Sequence, residues 1–220
     1  MKNKEIKGNG LILFAEGVFK VENVQLNHKK ILKELKKLPY RKINKFDGIN
    51  VNSNKTEFTQ ITKSIRILDL MDSGQEINEE ISRHIQVSID HFFGYTVDSK
   101  IINSWGTKSS HNSIADWHSH SNFWLSAVYY PHGTKKDNFN LMFNTYKPFA
   151  WTPRVKEHNI LNQSAVKIDV VEGDLLIFPS DLRHKIGENC TAKDRYSIAF
   201  NILPNGVIGD SDSYLECKLN

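Results

Sequence analysis

Asp116-Trp117-His118-Ser119-His120-Ser121-Asn122-Phe123-Trp124-Leu125-Ser126-Ala127-Val128-Tyr129-Tyr130 is the stretch whose reading decides the fold. It sets two histidines one residue apart at the head of an apolar, aromatic run. In a β-strand residues i and i+2 share a face. His118 and His120 are therefore expected to point the same way, about 7 Å apart at their Cα atoms by strand rise. Asp116 and Asn122 extend that row, and Trp117, Ser119 and Ser121 face the other way. Two neutral imidazoles on one face are half of a site for a divalent metal. A lone His-x-His is common on polar rims, so the other half has to come from elsewhere in the chain.

Val171 to His184 offers it. Gly173-Asp174 makes a turn, Leu175–Phe178 reads as a buried strand, and Pro179-Ser180 ends it before the chain turns to His184. Taken alone, His184 reads as a hydrogen-bonded structural histidine. As a third imidazole it completes three ligands on one face of an octahedral metal, leaving positions for a chelating co-substrate and dioxygen. Eleven residues later comes Asp194-Arg195-Tyr196-Ser197-Ile198-Ala199-Phe200-Asn201. As a strand it places Arg195, Ser197, Ala199 and Asn201 on a small, polar face, with Tyr196, Ile198, Phe200 and Ile202 on an apolar one. An arginine aimed into a barrel must be paired, because an isolated buried charge is strongly unfavourable. A ligand carboxylate held by a two-pronged hydrogen bond would pair it, with the Ser197 hydroxyl adding a bond. A salt bridge to Asp174 or Asp181 is the structural alternative.

The 220 residues are 39% hydrophobic and 25% charged, enough for one globular domain with a sizeable core. No apolar run approaches the ~20 residues of a membrane span. The first residues, Met-Lys-Asn-Lys-Glu-Ile-Lys-Gly, lack the apolar centre of a secretion signal, so a soluble, cytoplasmic protein is expected. Cys190 and Cys217 have no Cys-x-x-Cys spacing, which argues against a disulfide framework or a zinc ribbon. Any metal is then held by histidine and carboxylate. The net charge of +4 is too mild to indicate nucleic acid. Residues 1–45 hold twelve Lys/Arg against four Glu, which reads as a solvated basic face rather than a binding surface. A homodimer is compatible with this composition.

Leu11 to Lys20 reads as an early strand. Asn27 to Leu38 reads as a helix capped by Asn27, with Ile31, Leu32, Leu35 and Leu38 on one stripe and Pro39 as its stop. Residues 40–57 read as a long loop. Gly74 to Phe93 is the clearest helix, with Ile77, Ile81, Ile85, Ile89 and Phe92 in register and Gly94 after it. From Lys100 onward short apolar runs alternate with turns: Ile101–Trp105, Phe123–Tyr130, Asn138–Tyr146, Ala165–Val171, Leu175–Phe178 and Tyr196–Leu203. That pattern predicts a β-sandwich or barrel. One domain over 1–220 is expected, with a strand and supporting helices in 1–98 and the β core in 99–213. Tyr129, Trp105, Asn103 and Asn201 are candidate pocket-lining groups. His111 and His132 sit in turn-rich polar stretches and read as solvated. Residues 107–117 and 147–164 are the candidate lids.

The combination resembles the iron(II)- and 2-oxoglutarate-dependent dioxygenases, in particular a family common in phage and bacterial genomes. It is carried by His118-Ser-His120 leading to Ser126-Ala-Val-Tyr-Tyr130, by Phe178-Pro-Ser-Asp-Leu-Arg-His184, and by Arg195-Tyr-Ser-Ile-Ala-Phe-Asn201, and covers roughly residues 100 to 213. The resemblance implies a double-stranded β-helix, a cupin-like jelly roll with N-terminal helices packed on one sheet. It implies an oxidoreductase, a hydroxylase of unidentified substrate, with Fe(II) on His118, His120 and His184 and Asp116 as an alternative ligand. It implies 2-oxoglutarate with its distal carboxylate on Arg195 and Ser197, near Tyr129 and Asn103. The chain departs from the family at Ala127, where glycine is usual. It departs from the wider superfamily at His120, where Asp or Glu is usual. The competing readings are a three-histidine cupin without 2-oxoglutarate and a non-catalytic, phage-associated binding protein.

Overall fold

The computed structural model describes residues 15–42, 58–145, 153–159 and 161–219. In chain order its regular elements are β1 (Phe19–Val21), α1 (His28–Leu35), β2 (Tyr40–Lys42), β3 (Gln60–Thr62), α2 (Gly74–Val87), β4 (Asp98–Ser109), β5 (Leu125–Tyr129), β6 (Asn140–Asn144), β7 (Ala165–Asp169), β8 (Leu175–Pro179), β9 (Arg183–Ile186), β10 (Arg195–Ile208) and β11 (Leu215–Cys217). The larger sheet runs β1-β8-β5-β10-β4-β3-β2, with β11 added to β10; the smaller runs β7-β6-β9. Among the described residues the named strands pair antiparallel throughout. This is the jelly roll expected, with helices on one sheet.

Strand alternation divides the core in two. Between the sheets lie Val128, Tyr130, Phe139, Leu141, Phe178 and Ala199. The opposite face of the larger sheet packs Leu125, Tyr129, Ile198 and Phe200 against Ile31 and Leu35 of α1 and Ile77, Ile81 and Ile85 of α2. The helices form because their apolar residues repeat at three and four, which puts one stripe on the sheet. Asn27 caps α1 through a side-chain oxygen that accepts from the Lys30 N–H at 3.1 Å. Gly74 opens α2 so close to the main chain that a Cβ there would lie 1.8 Å from the Leu68 carbonyl oxygen. Beyond Val87 the chain continues as π-helical turns, Ser88–Phe93, and ends at Gly94 with φ +74.

Several expectations shift. The strand foreseen over Leu11–Lys20 is described only as Phe19–Val21, residues 11–14 lying outside the described residues. Of the loop foreseen over 40–57, Tyr40–Lys42 form β2, and 43–57 are outside the described residues. In the candidate lid over 147–164, residues 147–152 and 160 are likewise outside. Strand β9 was unforeseen, because Arg183-His184-Lys185-Ile186 shows no apolar run; its pairing with β6 makes it a strand. His132 is not solvated. It is half-buried, and its Nε2 accepts from the Tyr196 N–H at 2.8 Å. Burial, and then the charge of Lys36, pull its pKa down to about 4. Among the described residues no helix is long and apolar enough to cross a membrane.

Ile81→Ala is expected to cost about 2–5 kcal/mol in urea unfolding, because Ile81 is fully buried between α2 and the sheet. A folded-state pKa of His132 below its unfolded value of ~6.5 means that the unfolded chain binds the extra proton first. Metal-free protein should therefore lose stability as the pH falls from about 6.5 towards 4. His132→Gln should flatten that loss in thermal melts taken across the same window.

Candidate metal centre

The site is assembled by main-chain bonds that tie residues 118–120 to residues 180–184. The N–H of His118 donates to the carbonyl of His184 at 3.0 Å and the N–H of His184 to that of His118 at 2.8 Å. The N–H of His120 donates to the Ser180 carbonyl at 2.7 Å. The His-x-His pair thus sits in an extended segment before the turn at Ser121-Asn122, and the regular strand starts only at Leu125. His184 comes from β9, opposite Phe143 of β6. The candidate donor atoms of His118, His120 and His184 all lie within 4.8 Å of one another. The ring of His118 is 4.4 Å from that of His184 and 5.2 Å from that of His120.

Each ring is held by its Nδ1. His118 Nδ1 donates to the Asp116 main-chain carbonyl at 2.9 Å, and His184 Nδ1 to that of Leu182 at 2.8 Å. His120 Nδ1 donates to Asn201 Oδ1 at 2.6 Å, an oxygen that also accepts from Ser126 Oγ at 3.3 Å. These oxygens can only accept, so the hydrogen sits on Nδ1 and the Nε2 lone pair is left to bind a cation. Anchoring a ligand imidazole through its second nitrogen is the usual support of a metal centre. Burial, and then the neighbouring His118, bring the His184 pKa down to about 3. Burial also lowers that of His120. Both rings are thereby kept in the neutral, ligating form. Asp116, the alternative ligand, supplies a main-chain carbonyl, and its carboxylate is not among the converging donors.

Arg195 and Ser197 lie on the inner face of β10, each 2% exposed. Arg195 pairs with no carboxylate among the described residues. It donates to the carbonyl of Gly187 at 2.8 Å and, at a long 3.5 Å, to that of Asn140, with its guanidinium carbon 5.2 Å from the Phe139 ring centre. The salt bridge to Asp174 weighed as an alternative is not formed, because Lys20 holds that carboxylate at 2.9 Å. Burial brings the Arg195 pKa to about 10, which leaves it charged near neutral pH. Ser197 Oγ bonds Thr107 Oγ1 at 2.5 Å and lines the same narrow cavity as the three histidines.

Tyr129 is not in that cavity. Alternation along β5 turns Leu125, Ala127 and Tyr129 towards the helices, where the Tyr129 hydroxyl meets His28 Nδ1 at 2.5 Å. Its neighbour Tyr130 faces inward. The Tyr130 hydroxyl is fully buried, has no hydrogen-bond partner among the described residues, and interacts electrostatically with Arg195. Ser126 marks this parity in the sequence: it is the polar residue of β5, and Val128 and Tyr130 share its face. Asn103 lies outside the metal cavity too. It lines an adjoining open cleft of about 350 Å³ together with Trp105, Asn122 and Phe123, and the cleft reaches His120 and Asn201.

Residues 103–201 match a family model described as "Putative 2OG-Fe(II) oxygenase". A search of curated proteins finds no match. Among solved structures, the non-haem α-ketoglutarate-dependent epimerase SnoN of nogalamycin biosynthesis aligns over 86% of this chain and 78% of its own, with a TM-score of 0.60 and 12% identity. HygX from Streptomyces hygroscopicus, solved with nickel, 2-oxoglutarate and hygromycin B, aligns over 86% and 83% with a TM-score of 0.58 and 12% identity. A prolyl hydroxylase from Trichoplax adhaerens, in complex with a hypoxia-inducible-factor peptide, aligns over 86% and 84% with a TM-score of 0.58 and 13% identity. These likenesses agree with the jelly roll, and the family match covers both the histidine cluster and the Arg195 strand. Over residues 103–201 this chain is similar to the 2OG-Fe(II) oxygenases that the family model describes.

Proposed function

We propose that the protein is an iron(II)- and 2-oxoglutarate-dependent dioxygenase, a hydroxylase, with iron on Nε2 of His118, His120 and His184. The observation that carries the reading is the set of three imidazoles, each already bonded through Nδ1 to an oxygen. The co-substrate's distal carboxylate goes to Arg195, with Ser197 and Tyr130 as hydroxyl donors. Among the described residues the buried guanidinium finds no carboxylate and the buried phenol no acceptor, and one anion satisfies both. When bound, iron and 2-oxoglutarate supply the oxidation of a C–H bond by dioxygen, and the protein supplies geometry and exclusion of water.

Phe178 and Leu141 wall the cavity with apolar surface. Its free space is only about 40 Å³, so a chelating diacid has to part these side chains as it enters. The substrate is received in the neighbouring cleft, which shares His120 and Asn201 with the metal site and, among the described residues, is lined by no Lys, Arg, Asp or Glu. We take residues 1–220 as one domain working in the cytoplasm, a compartment in keeping with the free thiols of Cys190 and Cys217. Every group named comes from a single chain, so a homodimer is not needed to complete the site.

Anaerobic thermal melts with Fe(II) test the reading. A hundredfold excess of 2-oxoglutarate over its Kd should add about 2.7 kcal/mol. No shift would leave a metal-binding jelly roll without this co-substrate. His184→Ala should weaken iron binding by ~100-fold or more in a metal titration, as expected when a ligand itself is removed. Arg195→Ala should retain iron and raise the Kd for 2-oxoglutarate about 10–100-fold, the loss of a charge-assisted bond. Tyr130→Phe should raise it about 2–10-fold, whereas Tyr129→Phe should leave it unchanged.

A further inference from the structure

The donor cluster contains no carboxylate: among the described residues it consists of His118, His120 and His184 alone. Its members are neutral imidazoles rather than imidazolates, because each Nδ1–H is bonded to an uncharged oxygen, of Asp116, Asn201 and Leu182 respectively. The cavity around them is largely apolar, with Leu141, Phe178, Ile186 and Ala199 in its wall. On the same inner face of β10 sits Arg195, charged and, among the described residues, without a carboxylate. A divalent ion entering this cavity alone keeps its full charge in a medium of low polarity, with a second buried cation further along the same strand face. Both circumstances are unfavourable.

We propose that the three-histidine set makes a dianionic chelator part of the metal site, so that divalent metal and 2-oxoglutarate each bind tightly only in the presence of the other. The inference rests on the function proposed above and concerns the consequence of His120. Two of the three positive charges, those of the metal and Arg195 together, are cancelled when the dianion arrives. A carboxylate at position 120 would cancel one of them beforehand. Linkage makes the effect reciprocal: whatever factor the chelator adds to metal affinity, the metal adds to chelator affinity. His120 thereby sets the order of loading. Metal alone occupies the site poorly, and the co-substrate-bound form is the one that holds it.

The experiment is an equilibrium titration of the full chain with Mn(II), a redox-silent probe, with and without saturating 2-oxoglutarate. In the unaltered protein 2-oxoglutarate should tighten Mn(II) binding about 100-fold, near the top of the usual coupling range. His120→Asp should bind Mn(II) alone about 10-fold more tightly than the unaltered protein and show a coupling about 10-fold smaller. Circular dichroism establishes that this variant is folded. Pyruvate offers the same keto-acid chelate with a single charge, and it should give a smaller gain than 2-oxoglutarate in the unaltered protein. That comparison stands whether or not the variant folds. Three results would overturn the inference: a gain below about threefold with 2-oxoglutarate, an equal gain with pyruvate, or a folded His120→Asp with unchanged coupling. The functional reading fails differently, by no Mn(II) binding with or without 2-oxoglutarate, or by no binding of 2-oxoglutarate to the Mn(II)-loaded protein at millimolar concentration, and either result would take this inference with it.

Discussion

The reciprocal main-chain pair between His118 and His184 is the constraint on which the rest depends. These two hydrogen bonds join the segment before β5 to the middle of β9, and so join the two sheets at one end of the sandwich. Without them the His-x-His pair would lie on a loop between β4 and β5, and nothing would bring it to the third imidazole, far along the sequence. With them the three rings converge, and the same register leaves Leu182 and Asp116 carbonyls where they accept from the ring Nδ1 atoms. Ligand placement and ligand tautomer are thus set by one piece of backbone geometry.

The inner face of β10 extends this arrangement along the barrel. Asn201, Ala199, Ser197 and Arg195 follow one another at every second residue, from the anchor of His120 to the buried guanidinium. Asn201 holds His120 through a short bond and is itself braced by Ser126, which bonds Ser180 at 2.8 Å. Ala199 is small enough to leave space between the two ends. The outer face of the same strand is apolar and packs under α1 and α2. A single strand therefore carries the helix-facing core on one side and the polar groups of the cavity on the other.

Much of this was legible because strand periodicity is strict. Reading Arg195 to Asn201 as alternating faces was enough to separate cavity from core, and the spacing of isoleucines in α2 was enough to find its buried stripe. What failed did so for identifiable reasons. Family likeness points to the pair Tyr129-Tyr130, and only the parity of β5, set by Ser126, distinguishes its members. Strand β9 has no apolar signature, since His184 is buried by its contacts rather than by its hydrophobicity. The burial of His132 comes from accepting a backbone N–H on a distant strand, which no local pattern announces. Asn201 was placed in the pocket, but its role as the hydrogen-bond anchor of His120 depends on a pairing across more than eighty residues. In all but the tyrosine case the missing information is a long-range contact, which propensity and spacing do not contain.

X-ray absorption spectroscopy of the Co(II)-loaded protein with 2-oxoglutarate tests the central claim most directly, because imidazole rings give a characteristic outer-shell scattering. Three imidazole nitrogens at roughly 2.1 Å are the result that His118, His120 and His184 require. Two imidazoles with an added protein carboxylate, or a metal held mainly by oxygen, would contradict the three-histidine centre.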